Sequence, residues 1–417
     1  MYIKLINCFH VHIYNKNAFV YTDNNVFVMD DTSTKLLSII QMNSSYSKAI
    51  SILSAQTGLE KTRAVELANE IISVNHRFFM ISKEPNTVLI TGHLNTRFPS
   101  MLQIALTNKC VHKCRHCFKN CDSIHGTDIP INTLYNLLDQ VKGECKYIEF
   151  TGGEPLLYPY ILDVIQHYND TFQFRITTSG YTIQEFKLSD IQRFEVVQIS
   201  LHGSTDVIHD AFVGKKGSFN TVTKNIRWLC ENNIKVVITR AVNSYDKVEL
   251  DKFIRLCINL GVKHIIIGII VPAGRALLSN CATQDKEIEK ITEYIKQAQE
   301  KFPKINLAID EEHFISKQNS SYLFHCIGGR LNLYIDEIGN VFSCPYCQEA
   351  IFSIGNITEE SNFCHDLIYN ARYEHFNENI VKKLCFKESE FTLNELHLKD
   401  ICPNIRIPER FSNKQWR

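Results

Sequence analysis

The sequence predicts an α/β protein organised around a partial barrel of six β/α repeats. Six strand-like runs alternate with helical ones between about residues 98 and 275: MLQIALT, KYIEFT, FQFRITT, VVQISL, KVVITRAV and HIIIGIIV. This alternation favours a parallel, TIM-like sheet whose functional loops follow the carboxyl ends of the strands. The amphipathic run KEIEKITEYIKQAQEKF ends the domain, which we assign to residues 98–300.

Residues 1–95 are predicted to form a separate winged-helix-like domain. Three aromatic-rich runs, FHVHIY, AFVYT and VFVMD, have the alternation of short strands, and FFMIS returns as a further strand. Three helical patterns lie between them. Asp31 is expected to cap the first helix, and Ser44 or Ser45 the second.

Charge and composition argue against several classes of partner. Lys plus Arg and Asp plus Glu both number 45 among 417 residues, so no bulk positive field attracts nucleic acid or anionic lipid. The third helix of the front domain mixes acids and bases and lacks the basic stripe that phosphate contact requires. The N-terminus shows no apolar core of a signal peptide or membrane span. We expect a cytoplasmic protein with no nucleic-acid or membrane partner.

A cysteine triad directly after the first barrel strand predicts an iron–sulfur cluster. Cys110, Cys114 and Cys117 have CxxxCxxC spacing. A four-iron cluster prefers four cysteine ligands, so three thiolates leave one iron open. An open iron can bind the amine and carboxylate of S-adenosylmethionine (SAM) and pass an electron to the sulfonium. This releases methionine and a 5′-deoxyadenosyl radical that abstracts hydrogen.

Two other interpretations of these cysteines stay open. His112 and His116 lie among them, and mixed Cys and His ligands could hold zinc. Cys121 could be a fourth ligand that closes the cluster. The remaining early and middle cysteines stand alone and are expected to be structural thiols: Cys8, Cys145, Cys230, Cys257 and Cys281.

Small and hydroxyl-bearing residues follow the next three strands. The second strand ends in Gly152, Gly153 and Glu154, where bare backbone lets a ligand approach and a carboxylate can bind an ammonium group. The third strand is followed by Thr178 and Ser179, and the fourth ends in a serine, Ser200. Their hydroxyls could bind a ribose or an amino acid.

The order of these motifs resembles the radical SAM superfamily over roughly residues 100–275. The resemblance implies that the GGEP motif binds the SAM amine. The segments ISLHGSTDVIHDAFVGKKGSF and VPAGRA resemble the branch that has a C-terminal SPASM or twitch domain. Related sequences often have an arginine for the SAM carboxylate where this chain has Val213. Lys215, Lys216 and Arg240 are the candidate replacements.

Residues 318–417 are predicted to hold an auxiliary iron–sulfur cluster in a twitch- or SPASM-like domain. A hairpin pattern with a turn at Asp336 to Asn340 brings Cys344 back toward Cys326. The spacing of Cys326, Gly339 and Cys344 resembles the opening of a SPASM domain. CPYC could equally form a zinc knuckle. The favoured ligands are Cys326, Cys344, Cys385 and Cys402, with Cys347 as the replacement.

The segment VFVMDDTSTKLLSIIQMNSS resembles the recognition element of enzymes that modify ribosomally made peptides. There an exposed strand edge pairs with the leader of a precursor peptide. The three-domain arrangement resembles peptide maturases such as the sactisynthases. It implies a precursor peptide as substrate, an electron donor such as flavodoxin or ferredoxin, and a thioether crosslink as product. The alternatives are peptide epimerisation, carbon–carbon crosslinking, a sulfatase-maturase-like enzyme and a non-enzymatic iron–sulfur regulator that binds DNA.

Overall fold

The structure is a computed structural model that describes residues 1–22, 26–42, 45–309, 332–346, 348 and 353–358. The chain forms two compact units. The N-terminal unit comprises residues 1–100 and 141–146, and the barrel unit comprises residues 101–140 and the chain from residue 147 onward. Across the described ranges, no helix is both long enough and apolar enough to cross a lipid bilayer.

The N-terminal unit combines six strands with three helices. Its strands are β1 (Tyr2–Leu5), β2 (His10–Tyr14), β3 (Asn17–Tyr21), β4 (Val26–Met29), β5 (Phe79–Ser82) and β6 (Leu89–Thr91). Its helices are α1 (Asp31–Gln41), α2 (Tyr46–Thr57) and α3 (Lys61–Val74). One sheet has the strand order β4-β3-β2-β6, and β1 pairs antiparallel with β5. All three helices and four of the strands follow the sequence patterns; β1 and β6 are short runs that those patterns did not single out.

Asp30, not Asp31, caps α1. The Oδ1 atom of Asp30 accepts a hydrogen bond from the backbone N–H of Ser33 at 2.7 Å. Asp31 is the first helical residue and forms an ion pair with Lys35 at 2.9 Å. The prediction was wrong by one residue because two adjacent aspartates precede the apolar run. Ser45 does precede α2, but its side chain makes no capping hydrogen bond.

Strand β2 lies inside its sheet, and all five of its residues are buried. Val11 and Ile13 join the apolar core of the unit. His12 donates from Nε2 to the Phe98 carbonyl at 2.7 Å, and its Nδ1 lies 2.9 Å from the Thr91 hydroxyl. Burial lowers the pKa of His12 to about 4, so the ring is neutral near pH 7. The histidines that alternate with apolar residues in FHVHIY are therefore part of an internal hydrogen-bond network.

The barrel unit contains one ten-stranded sheet with helices between its strands. The strands are β7 (Met101–Thr107), β8 (Tyr147–Gly152), β9 (Gln173–Thr178), β10 (Phe194–Ser200), β11 (Val236–Val242), β12 (His264–Ile269), β13 (Asn306–Ile309), β14 (Asn332–Ile335), β15 (Asn340–Phe342) and β16 (Gly355–Asn356). The helices are α4 (Ile131–Gln140), α5 (Ile161–His167), α6 (Leu188–Ile191), α7 (Asp206–Val213), α8 (Ser218–Glu231), α9 (Lys247–Asn259), α10 (Arg275–Leu278) and α11 (Asp285–Lys301).

Strands β7 to β13 lie side by side in chain order and are all parallel. β14 pairs parallel with the other side of β7, and β15 and β16 continue the sheet antiparallel. Ala308 of β13 and Asn332 of β14, from the two ends of the parallel row, line the same cavity, so the sheet curves into a partial barrel. The predicted α/β class is confirmed, and β13 extends the six predicted strands.

Side chains of the barrel strands alternate between the cavity and the surrounding helices. In β11, Val237 and Thr239 line the cavity, whereas Ile238 is fully buried on the other face. Parallel sheets are covered on both faces, and each fully buried apolar side chain stabilises the fold by about 1.5–3 kcal/mol. The phase of this alternation decides which strand residues reach the cavity.

The isolated cysteines lie in the packed parts of both units. Cys145, Cys257 and Cys281 are buried, and Cys8 and Cys230 are partly buried. Burial raises the pKa of Cys8 to about 11 and also raises that of Cys257. The thiols of Cys8 and Cys257 are therefore uncharged at neutral pH, as expected of small apolar packing groups.

Candidate functional site

The cysteine loop, residues 108–128, follows β7 and folds back on itself. The backbone N–H of Asn108 donates to the Thr127 carbonyl at 3.1 Å, and that of Cys110 donates to Ser123 at 2.7 Å. The loop contains no helix and no strand of the sheet. Its shape therefore depends on hydrogen bonds within the loop and to neighbouring segments.

The three predicted ligand thiols form one group in this loop. Burial raises the pKa of Cys110 to about 12 and also raises that of Cys114, and the neighbouring Cys110 and Cys117 act on Cys114 in the same direction. The thiol of Cys121 hydrogen-bonds to Cys117 and lowers the pKa of Cys117. Cys121 thus lies beside the triad, where the sequence left it as a possible fourth ligand. Only a bound metal would turn the buried Cys110 and Cys114 into thiolates at neutral pH.

The histidines of the loop do not assemble the zinc site that the sequence left open. His112 Nε2 lies 2.9 Å from the Ser218 hydroxyl, and the His116 ring packs against His202 and Phe212 with centroids 4.7 and 4.8 Å away. Burial lowers the pKa of both His112 and His116 to about 4. In the described part of the chain, no three His, Cys, Asp or Glu side chains are arranged to hold a single metal ion.

The HDAFVGKKGS segment folds into a support for the cysteine loop. The Asp210 carboxylate accepts hydrogen bonds from the backbone N–H groups of Gly217 at 2.5 Å and Phe219 at 2.8 Å. His209 Nε2 lies 3.1 Å from the Ser218 hydroxyl, and its Nδ1 accepts from the His202 backbone at 3.0 Å. Ser218 thereby joins His209 to His112 of the loop.

The end of α7 contacts the loop directly through its backbone. The carbonyls of Phe212 and Val213 accept hydrogen bonds from Arg115 at 3.0 Å and Lys113 at 2.9 Å. The Val213 side chain is buried, so it presents no polar group where related sequences often have arginine. Val213 therefore contributes backbone contacts to the loop and no charge.

The GGE turn after β8 packs against the backbone of the cysteine loop. A Cβ atom on Gly152 would lie 2.2 Å from the Thr107 carbonyl oxygen, and one on Gly153 would lie 2.1 Å from that of Lys109. The backbone N–H groups of Gly153 and Glu154 donate to these two carbonyls, each at 2.7 Å. Glycine is thus required at both positions because the chain's own backbone approaches them closely. The ligand that the sequence predicts there would be a second reason.

Glu154 joins the ends of β8 and β9. Its buried carboxylate accepts hydrogen bonds from Thr178 Oγ1 at 2.6 Å, the Leu156 N–H at 3.2 Å and the Ser179 N–H at 2.9 Å, and a further one from the Ser179 hydroxyl. Burial raises the pKa of Glu154, and these donors act in the opposite direction. The structure therefore brings three predicted site residues into one hydrogen-bonded group.

Ser200 lines the cavity of the barrel instead of joining the Glu154 group. The cavity has a volume of about 640 Å³ and lies inside the curved sheet. Its polar lining includes Gln103, Glu149, Thr177 and Thr239, and His116 and His202 lie at the carboxyl ends of the strands. A cavity of this size and polarity fits a side chain or small polar ligand.

Arg240 does not reach the group of predicted SAM residues. Its neighbours Thr239 and Ala241 line the cavity, so strand alternation directs the Arg240 side chain to the helix side of β11. There its guanidinium lies 3.1 Å from Glu249 and stacks over Phe253 at 4.5 Å. The expectation that Arg240 binds the SAM carboxylate is therefore corrected, because the Arg240 side chain lies on the face of β11 that contacts the helices and not on the cavity face.

The two other candidate cations differ in their surroundings. The Lys215 ammonium lies 4.5 Å from the centre of the Tyr181 ring, two residues beyond Ser179, and Tyr181 in turn contacts His112 of the cysteine loop. Lys216 is exposed. Of the two lysines, Lys215 is the one that the described contacts place beside the loop.

Cys344 is buried and lines the barrel cavity. It follows the β14–β15 hairpin, whose predicted turn is confirmed: Asp336 Oδ1 accepts from the backbone of Asn340 at 2.8 Å. The other predicted auxiliary ligands lie outside the described residues: Cys326, Cys347, Cys385 and Cys402.

Sequence reasoning missed two residues that hold the cysteine loop. Lys119 forms a buried ion pair with Glu337 of the hairpin turn, with Nζ and Oε2 2.6 Å apart. Arg275 donates from Nε to the Cys114 carbonyl at 2.8 Å. The available signal for Arg275 was its place in VPAGRA, directly after the sixth strand, where loops contribute to barrel sites.

Comparison with known proteins agrees with this geometry. The model of the radical SAM superfamily matches residues 104–257, from within β7 to within α9. Residues 104–257 of this chain are a radical SAM domain. Superfamily membership implies SAM and one [4Fe–4S] cluster as cofactors, and the grouped thiols of Cys110, Cys114 and Cys117 fit a cluster that leaves one iron open.

Two curated relatives of this radical SAM protein cover most of its length. An uncharacterized protein of Methanocaldococcus jannaschii is 28% identical over 280 residues, which is 62% of this chain and 89% of that protein. The antilisterial bacteriocin subtilosin biosynthesis protein AlbA of Bacillus subtilis is 24% identical over 340 residues, or 76% of this chain and 73% of AlbA.

Solved structures extend the fold likeness to nearly the whole chain. Streptococcus suis SuiB bound to S-adenosylmethionine has a TM-score of 0.66 at 14% identity, covering 96% of this chain and 93% of SuiB. SuiB bound to its precursor peptide SuiA has a TM-score of 0.61, covering 89% and 88%. At this identity the radical SAM protein and SuiB share a fold, which includes more than the superfamily segment.

Substitution Glu154→Gln tests the hydrogen-bonded group at the strand ends. The amide NH₂ would face two of the donors that now reach the carboxylate, so we expect a loss of about 1–3 kcal/mol in the free energy of unfolding. Glu149→Gln is the matched control because Glu149, on the same strand, accepts only from Thr177 among the described residues. Chemical denaturation measures both, and equal losses would contradict the assigned role.

Proposed function

We propose that this radical SAM enzyme modifies a ribosomally made precursor peptide. The fold likeness to SuiB, whose structures include one with a precursor peptide, is the observation that carries the proposal. The relationship to AlbA, a bacteriocin biosynthesis protein, supports the same substrate class. The cysteine loop adjoins a cavity large enough for a peptide side chain.

The N-terminal unit offers a surface on which a leader peptide can bind. β4 is an edge strand of the four-stranded sheet, and Val28 on it is 50% exposed. An open strand edge binds an extended peptide through main-chain hydrogen bonds, while neighbouring pockets select its side chains. We assign leader recognition to this edge.

Different residues of the barrel unit have different roles at the proposed SAM site. Cys110, Cys114 and Cys117 would hold the cluster, which when bound supplies the electron that cleaves SAM into methionine and a 5′-deoxyadenosyl radical. Glu154 fixes Thr178 and Ser179 at the strand ends, and Ser200 faces the cavity. Lys215 is the cation we assign to the SAM carboxylate in place of the arginine missing at Val213.

We propose a thioether crosslink as the product. The 5′-deoxyadenosyl radical would take one hydrogen atom from a peptide carbon, and the cysteine thiol would lose its proton to solvent. The remaining electron would pass to the predicted auxiliary cluster as the carbon–sulfur bond forms. Cys344 lies at the cavity wall, where an auxiliary ligand would be close to the substrate. Crosslinking removes two hydrogens from the peptide, whereas epimerisation leaves its mass unchanged. The product mass therefore separates these reactions, and fragmentation separates a carbon–sulfur from a carbon–carbon bond.

The first test uses anaerobically reconstituted protein, SAM, a reductant and short, cysteine-containing candidate precursor peptides, chosen from any that are encoded near the gene. We expect release of 5′-deoxyadenosine and a modified peptide from the wild type. Cys117→Ala should abolish both because it removes a ligand, whereas Cys121→Ala should retain both because three thiolates suffice. Full activity of Cys117→Ala, or none of the wild type with any peptide, would overturn the proposal.

Lys215→Met tests the assigned carboxylate contact. Loss of a single charged hydrogen bond should weaken SAM binding about tenfold, equal to ~1.4 kcal/mol. Lys216→Met removes the same charge one residue away, from an exposed position, and should bind SAM like the wild type. Equilibrium binding of SAM to the reconstituted variants measures the difference, and the reverse order would exclude Lys215.

Val28→Pro tests leader binding at the β4 edge. Proline removes a backbone N–H and disfavours strand pairing, so affinity for a fluorescent leader peptide should fall at least about tenfold. Leu89→Pro is the matched control because Leu89 is 47% exposed on β6, the opposite edge of the same sheet. Thermal unfolding checks that both variants fold, and equal affinity of the two would place the leader elsewhere.

A further inference from the structure

We infer that Arg275 is a positioning residue for the iron–sulfur cluster. Arg275 holds the cysteine loop in the conformation that binds the cluster, and it places a positive charge beside the cluster. Arg275 begins α10, in the segment between β12 and α11. The inference rests on the cluster of the proposed function but does not depend on the identity of the peptide.

The guanidinium of Arg275 is hydrogen-bonded along the cysteine loop. Its Nε donates to the Cys114 carbonyl at 2.8 Å, and its Nη2 donates to that of Cys121 at 2.6 Å. Nη1 lies 3.4 Å from the Asn120 carbonyl, and the backbone N–H donates to the Cys117 carbonyl at 2.9 Å. One side chain and its backbone therefore contact Cys114, Cys117 and Cys121. This use of several donors requires the planar fork of arginine.

Gly274 allows this segment to approach the loop so closely. A Cβ atom on Gly274 would lie 2.2 Å from the Phe118 carbonyl oxygen and 2.7 Å from that of Cys117, and its φ is +53°. After α10, the Ser279 hydroxyl donates to the Arg115 carbonyl at 3.0 Å. Both ends of α10 thus contact the cysteine loop, which is expected of a segment that shapes the loop.

The positive charge of Arg275 is only partly neutralised by its neighbours. Its Nη1 lies 3.4 Å from the Asp122 carboxylate, but the Lys113 ammonium shares that carboxylate at 3.1 Å. Asp122 therefore does not fully neutralise the two cations that share it. A nearby positive charge favours the more negative, reduced cluster and raises its potential.

The two roles can be separated by substitution in the full-length, anaerobically reconstituted protein. Arg275→Lys keeps the charge but cannot reach several carbonyls at once, and Arg275→Met removes both features. Arg255→Met is the control because it removes the same charge from a residue whose described contact is the Phe302 ring, at 5.3 Å, and not the cysteine loop. The measurements are the rate of iron release to a chelator and the midpoint potential of the cluster, followed by electron paramagnetic resonance without peptide.

We expect both Arg275 variants to release iron roughly tenfold faster than the wild type, because several hydrogen bonds are lost. The midpoint potential should become more negative in Arg275→Met and stay near the wild-type value in Arg275→Lys. Arg255→Met should match the wild type in both measurements. A purely structural role would speed iron release in both variants without separating their potentials, and this result would overturn the charge assignment.

Wild-type iron release in Arg275→Met would overturn the positioning role itself. If Arg275→Met fails to fold, thermal unfolding of the apo-protein reveals it, and Arg275→Lys then decides through its release rate. A wild-type protein that binds the cluster but modifies no peptide would leave the inference intact. Failure of the wild type to bind iron would remove the inference together with the SAM chemistry.

Discussion

The close packing of one irregular loop against bare backbone is the constraint on which the rest of the site depends. The cysteine loop has no regular structure to fix its thiols, so its shape comes from hydrogen bonds to neighbouring segments. The GGE turn donates to the Thr107 and Lys109 carbonyls from one side, and α7 accepts from Lys113 and Arg115 on another. Because side chains on Gly152 and Gly153 would overlap these carbonyls, the loop and the turn can have their observed conformations only together.

This arrangement places many polar groups out of contact with water, and hydrogen bonds compensate for their burial. Glu154 accepts from Thr178, Ser179 and the backbone, and Ser218 joins the neutral rings of His112 and His209. A buried polar group without a partner would destabilise the fold by about 1–3 kcal/mol, so these networks restrict the site to few alternative conformations. The barrel therefore supplies a rigid frame, and loops at its strand ends supply the chemistry.

Local sequence patterns predicted the features that depend on local spacing. They failed for side chains whose place depends on which face of a strand they occupy, or on contacts with residues distant in the sequence. The six repeats, the hairpin and the grouping of Cys110, Cys114 and Cys117 follow from periodicity and motif spacing. Arg240 was misplaced because both faces of a parallel strand are covered, so apolar alternation does not reveal which face contains the cavity. Arg275 contacts Cys114, 161 positions earlier in the chain, and no spacing rule connects the two.

The pair Lys119–Glu337 shows how this frame extends to the late part of the chain. Both side chains are largely buried, and the desolvation of two such charges offsets much of their attraction, so the pair contributes more to position than to stability. Phe118, the residue after Cys117, stacks edge-on against Tyr346 at 5.3 Å, two residues beyond Cys344. The hairpin is thus fixed relative to the cysteine loop by a charged and an aromatic contact. Any group held by Cys344 would therefore be held in place relative to the first cysteine group.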